Sequence, residues 1–204
     1  MKTLRYLSPA GAETWCFDGG NWRPTETMAE GFVWLVTDLP EESFAEIKTP
    51  RLFGRDRSAF VDRQLAARFP ESTYRMALPA GGGELLDRLA PTRHVLFGVD
   101  AGGRIDAEID ALPQPIAAVV PMSMLLARLA QNRTLPADLF VVLAGEGSLR
   151  IVFLRARTPV LTRLTQTPNE PKAQLDEIVR TLRHLENNLG LPRGRENFLL
   201  LLGG

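Results

Sequence analysis

Asp38, Glu41 and Glu42 place three carboxylates close together behind an apolar run, an arrangement that could serve general acid–base chemistry. Pro40 stands between them and no histidine lies nearby in sequence to relay a proton, so a role at the start of a helix fits better. Ser123 and Ser148 lack the context of a nucleophile elbow. His184 sits among Arg180, Arg183 and Glu186, the setting of a solvated helix residue. Cys16 is the lone cysteine, which excludes an internal disulfide, and with only His94 and His184 in the chain no histidine–cysteine metal site is expected. Glu146 is held between Gly145 and Gly147 with Ser148 following, and reads as a surface carboxylate on a tight turn. No catalytic set and no metal set emerges.

The balance of charge narrows the partners. Arginine and lysine total 24, aspartate and glutamate 24, so no net field steers the protein toward nucleic acid or an acidic membrane. Only Lys2, Lys48 and Lys172 are lysines, and the arginines Arg63, Arg68, Arg88 and Arg183 have acidic neighbours at helical positions. At 204 residues and 45% hydrophobic content the chain suffices for one sizeable domain or two small lobes. Its cysteine usage suits a reducing compartment, and no run approaches the roughly 20 apolar residues that span a bilayer. No internal repeat is evident.

The elements that must position these residues follow from periodicity. Leu139–Leu143 is continuously apolar, Gly145-Glu146-Gly147 turns the chain, Leu149–Leu154 returns, and Thr158-Pro159 leads into Val160–Leu164, a three-strand meander whose middle is covered on both faces. The best helix spans Lys172–Leu189, with Leu175, Ile178, Val179, Leu182, Leu185 and Leu189 as its apolar stripe. Asn197–Leu202 is a buried strand running into Gly203-Gly204. Upstream, Leu4–Leu7 and Thr14–Phe17 are strands with Asp18-Gly19-Gly20-Asn21 turning into Trp22, Phe32–Val36 is a buried strand, and Ser43–Thr49 its expected neighbour. Asp56 is placed to cap a helix with Phe60, Val61, Leu65 and Phe69 inward and Arg57, Asp62, Arg63 and Arg68 outward. Thr73–Leu78 and Arg93–Val99 are strands separated by Gly81-Gly82-Gly83 and a helical turn over Glu84–Leu89. A helix over Arg104–Leu112, a strand over Ile116–Val120, and a helix from Pro121 to about Gln131 with Met122, Leu125, Leu126 and Leu129 inward complete an α/β chain.

Three consecutive strands, a long helix, then an apolar strand ending in Gly-Gly resemble the second lobe of the actin-like, ribonuclease-H-like ATPase fold. VWLVTDLPEESFAEIKTP, FVDRQLAARF, HVLFGVD and PIAAVVPMSMLLARLAQ resemble the preceding lobe in the cytoplasmic domains of the type II secretion L protein and the type IV pilus M protein. The resemblance covers residues 32–204 and implies two lobes, 1–120 and 121–204, the second incomplete at its C-terminus, with a degenerate nucleotide site. Active members of that superfamily carry an acid on the turn of the second phosphate hairpin, where it works through magnesium. Ala144 stands there in this chain; Glu146, two positions on, is the displaced alternative. Asp18-Gly19-Gly20-Asn21 lacks the small hydroxyl residue of a first phosphate loop. If a nucleotide binds, the resemblance assigns it to Gly145, Glu146, Gly147 and Ser148, with Gly203 and Gly204 on the adenosine side.

The expected function is therefore a non-catalytic assembly scaffold without a cofactor, cytoplasmic at the inner membrane, recruiting a protein partner of a pilus or secretion platform. Membrane association is expected only through a partner or residues beyond 204. The competing readings are an actin-like protein that binds ATP and magnesium with weak or no hydrolysis, and a regulatory domain that merely shares the fold. For a partner, the candidate surfaces are Arg57, Arg63 and Arg68, which suit an acidic surface, and the edge of Ser43–Thr49, which suits an added strand.

Overall fold

The protein is described here by a computed structural model over residues 2–28, 30–80, 89–130, 134–193 and 198–202. The chain forms two compact units, Met1–Leu125 and Leu126–Gly204. In chain order the first holds β1 (Lys2–Ser8), β2 (Gly11–Asp18), β3 (Asn21–Pro24), β4 (Val33–Thr37), β5 (Glu42–Lys48), α1 (Gly54–Arg68), β6 (Tyr74–Pro79), β7 (Arg93–Val99), α2 (Gly102–Asp110) and β8 (Ile116–Pro121). Helix α3 (Met122–Ala130) spans the boundary. The second unit contains β9 (Leu139–Gly145), β10 (Ser148–Arg155), β11 (Thr158–Gln166), α4 (Pro171–Asn188) and β12 (Phe198–Leu202).

In the first unit, β1, β2 and β3 make an antiparallel meander whose turn at Gly19 and Gly20 requires positive φ, +58° and +101°, which glycine adopts without a Cβ clash. β4 then pairs parallel to β1, and β8 parallel to β4, giving the order β3-β2-β1-β4-β8. Leu7 and Leu35 project from one face of this sheet into a core with Leu39, Val99 and Ile105, so α2 covers that face through Ile105 and Ile109. A three-stranded sheet, β5-β7-β6, carries α1, whose Val61 and Leu65 pack on Ile47 and Leu96.

Several expectations need correction. β5 is not a neighbour of β4; it pairs antiparallel with β7, because β1 and β8 take both sides of β4. Phe53, not Asp56, occupies the N-cap of α1; Asp56 lies in the first turn, where its charge still suits the helix dipole. Pro121 ends β8 rather than opening α3, and Leu125 and Leu129 are partly exposed while Leu126 and Ala127 carry the burial. The expected loop 81–83, most of the turn 84–89, Gln131 and Asn197 lie outside the described residues.

The second unit is the meander expected from its sequence. β10 pairs antiparallel with β9 and β11, and β12 joins β9 in parallel, giving β11-β10-β9-β12. Leu149, Ile151 and Phe153 meet Phe140, Val142 and Leu185 in one core, against which Ile178 and Leu182 pack. Arg150, Val152 and Leu154 on the opposite face are buried as well, as a centrally placed strand requires. Along α4 the buried stripe is shifted: Leu175 and Leu189 are exposed, whereas Glu177 and Thr181 are buried, Glu177 pairing with Arg163 at 2.9 Å and Arg180 at 2.8 Å. The two sheets share one order, a three-strand meander with a parallel strand beside its first member, although no repeat is visible in sequence.

Candidate functional site

In open α/β sheets the carboxyl ends of parallel strands are where ligands sit, and the amides of a following helix favour anions. Here β1, β4 and β8 end in register at Leu7, Thr37 and Pro121, and α3 begins directly after β8. The Glu42 carboxylate fills that place. Its Oε1 accepts from the Thr37 hydroxyl and the Leu39 and Met122 amides, each at 3.3 Å, and its Oε2 accepts from the Ser123 amide at 3.1 Å. Met122 and Ser123 are the first residues of α3, so a buried side chain supplies the acceptors that the helix lacks locally. Asp38, also buried, accepts the Tyr6 hydroxyl at 2.7 Å. The Asp38 and Glu42 pair thus anchors strand ends and a helix start, while Glu41 is exposed and apart from them. An anion arriving at α3 would have to displace a carboxylate already held by four donors.

The turn between β9 and β10 is equally occupied. Gly147 takes φ +67°, its amide donates to Asn169 Oδ1 at 3.0 Å, and its carbonyl accepts the Thr167 amide at 3.1 Å. A Cβ on Gly145 would come within 3.0 Å of Ser148 Oγ, so Gly145 and Ser148 are in close contact across the hairpin. Glu146 is exposed at the tip. Gly203 and Gly204 lie outside the described residues.

The arginine candidates separate. Arg57 is half-buried and donates to the Leu89 carbonyl at 2.7 Å, a structural bond, whereas Arg63 and Arg68 are exposed on α1. Arg68 lines a shallow depression of about 230 Å³ together with Ser43 of β5, Phe69, Glu71 and Asp100. The two partner surfaces proposed from sequence, α1 and the β5 edge, therefore meet at one place in the first unit. Gly98 permits this packing, since a Cβ there would lie 2.7 Å from Phe69 Cγ.

Two titratable groups depart from their usual range. Burial, reinforced by the Arg57 charge, lowers the His94 pKa, and its Nδ1 meets the Thr49 hydroxyl at 3.2 Å. Burial and the hydrogen bond to Asp106 push Tyr74 up to about 12. His94 is buried, and Tyr74 packs partly buried against the core that holds Leu35 and Ile105. Among the described residues no group of three or more histidine, cysteine or carboxylate side chains could hold a metal ion. His184 is exposed and bonds locally to Asn188, as its sequence neighbours suggested.

Solved structures match this chain over its whole length. The complex of PilM and PilN in type IV pilus biogenesis matches with a TM-score of 0.59 at 16% identity, over 100% of this chain and 81% of the other. The cytoplasmic domain of EpsL, an inner-membrane component of the Vibrio cholerae type II secretion system, matches at 0.54 and 11%, over 99% and 82%. A Bacteroides thetaiotaomicron protein of actin-like ATPase fold and unknown function matches at 0.52 and 11%, over 100% and 82%. The chain has the actin-like ATPase fold. No protein-family model matches the sequence, and neither does any curated protein. Within this actin-like chain, Ala144 precedes the hairpin tip and leaves Glu146 as the nearest carboxylate along the turn.

Glu42 as the ligand of α3 escaped sequence reasoning because the two are 80 and 81 residues apart. A signal was present nonetheless. Val120-Pro121-Met122 offers no serine, threonine, aspartate or asparagine to cap the helix, so an acceptor had to come from elsewhere.

Proposed function

We propose that this domain is a non-catalytic scaffold of a pilus- or secretion-type machine, recruiting a protein partner at the cytoplasmic face of an inner membrane. The observation that carries this reading is Glu42: the chain's own carboxylate takes the amides at the start of α3, so that helix start beside the strand ends offers no open anion site. The occupied Gly147 amide and the absence of an acid at Ala144 support the same conclusion. The likeness to PilM in complex with PilN and to the cytoplasmic domain of EpsL supports a protein partner in this setting. Zero net charge argues against nucleic acid. Among the described residues no helix is long and apolar enough to cross a membrane.

Recruitment is assigned to the exposed face of α1 that carries Arg63 and Arg68, continuing at Arg68 into the depression lined by Ser43 of β5. Co-expression with the products of adjacent genes, followed by purification through a tag on one component, tests it. The parent retains a neighbour-encoded protein and Arg63→Glu with Arg68→Glu releases it; a parent that retains none while binding a nucleotide tightly contradicts the scaffold reading. One observation favours the alternative of a nucleotide-binding protein with little hydrolysis: Glu146 is exposed at the hairpin tip and not engaged in the core.

A further inference from the structure

The depression at the end of α1 combines an apolar part with charge of both signs. Helix α1 stops at Arg68, Phe69 and Pro70 turn the chain, and the Phe69 ring lies against β7 at Gly98, where no side chain stands in its way. Arg68, Glu71 and Asp100 line the same depression. Neighbouring arginines of this unit are engaged: Arg57 with the Leu89 carbonyl at 2.7 Å, Arg75 with the Phe69 carbonyl at 3.2 Å, and Arg93 with Glu46 at 2.6 Å. The side chains of Arg68, Glu71 and Asp100 form no ion pair or hydrogen bond with one another or with any other described residue.

Size and charge together select the occupant. At about 230 Å³ the depression is smaller than the roughly 300–1,000 Å³ of sites for small molecules, and it has room for about one or two side chains. Two carboxylates against one guanidinium leave it net negative, which favours a cation. Phe69 and Pro70 offer apolar surface to a long aliphatic stem, as arginine and lysine carry, and the planar fork of arginine matches a carboxylate better than an ammonium does.

We infer that the recruited partner inserts an arginine here, its stem against Phe69 and Pro70 and its guanidinium held by Glu71 and Asp100, with a flanking acidic residue meeting Arg68. This rests on the recruitment reading above and narrows the partner from an acidic surface to a segment of mixed charge. The hydrogen bonds involved are charge-assisted, and the contact is specific because a glutamate or an uncharged residue in place of the arginine leaves both carboxylates unpaired.

The test repeats the co-expression of the full chain with the products of adjacent genes, adding Glu71→Arg with Asp100→Arg. Both side chains are exposed and unengaged, so the melting temperature should stay within about 2 °C of the parent. Partner retention should fall about tenfold or more, and one arginine of the partner, changed to glutamate, should lose the parent domain and regain the doubly substituted one. Undiminished retention by Glu71→Arg with Asp100→Arg, while Arg63→Glu with Arg68→Glu releases the partner, overturns the inference and leaves the recruitment reading standing. A partner in which no arginine shows the exchange of charge overturns the inference as well. A dimer of the domain that the same substitutions dissolve assigns the depression to a second copy instead. A parent that retains no neighbour-encoded protein overturns the recruitment reading and the inference with it.

Discussion

Replacing Glu42 by alanine strips three backbone amides and one hydroxyl of their acceptor in a buried setting. Hydrogen bonds to a charged group contribute about 1.5–3 kcal/mol each, but these are long, at 3.1–3.3 Å, and water entering the truncated site recovers part of the loss. The net cost should be about 3–5 kcal/mol, the usual range for breaking a buried charged network. At roughly 2–4 °C per kcal/mol for a chain of this size, the melting temperature should fall by on the order of 10 °C. Glu42→Gln should cost less, since one oxygen still accepts, although its amide group then opposes a backbone N–H. The sharper signature is rescue. With the carboxylate gone, the Met122 and Ser123 amides become an anion site, so about 100 mM sulfate should stabilise Glu42→Ala by roughly 1–2 kcal/mol more than the parent. Thermal unfolding followed by circular dichroism, with and without sulfate, reads both effects. An alanine variant melting within a degree of the parent, or equal sulfate effects on the two proteins, would refute the reasoning.

Other consequences follow from particular contacts. Leu185→Ala should cost about 2–5 kcal/mol, because this side chain is fully buried between α4 and the β9–β11 meander; denaturant unfolding measures it. Gly98→Ala should destabilise by about 1–3 kcal/mol, since its methyl meets the Phe69 ring, and Phe69→Leu should recover part of that loss in the double variant. His94 has a folded pKa below its unfolded value near 6.5, so the unfolded state binds more protons as pH drops: the associated stability is intact above about pH 6.5 and is lost progressively below it. Melting curves between pH 5 and 8 should show a steeper decline for the parent than for His94→Gln.

What the sequence made legible was local. The β9–β11 meander and α4 are read from apolar runs and helical spacing inside one stretch of chain, and their residues pair as those periods require. Partner choice among distant strands was not legible: β5 was expected beside β4 because it comes next, yet β4 is flanked by strands from both ends of the unit. The α4 stripe misled at Leu175 and Leu189, where period alone marked burial, and at Glu177, whose burial depends on Arg163 from β11. At the candidate site the exposure of Glu146 on its tight turn was legible from its glycine neighbours, but the use of Glu42 as an internal ligand for α3 depends on contacts about 80 residues apart.

Titration of the full chain with ATP and magnesium in a calorimeter tests the central claim most directly. If the α3 amides held by Glu42 and the Gly147 amide held by Asn169 leave no open anion site, no saturable heat should appear up to about millimolar nucleotide, a binding free energy weaker than about −4 kcal/mol. Micromolar binding that disappears in Glu146→Ala would contradict the account and establish a working nucleotide site at the hairpin.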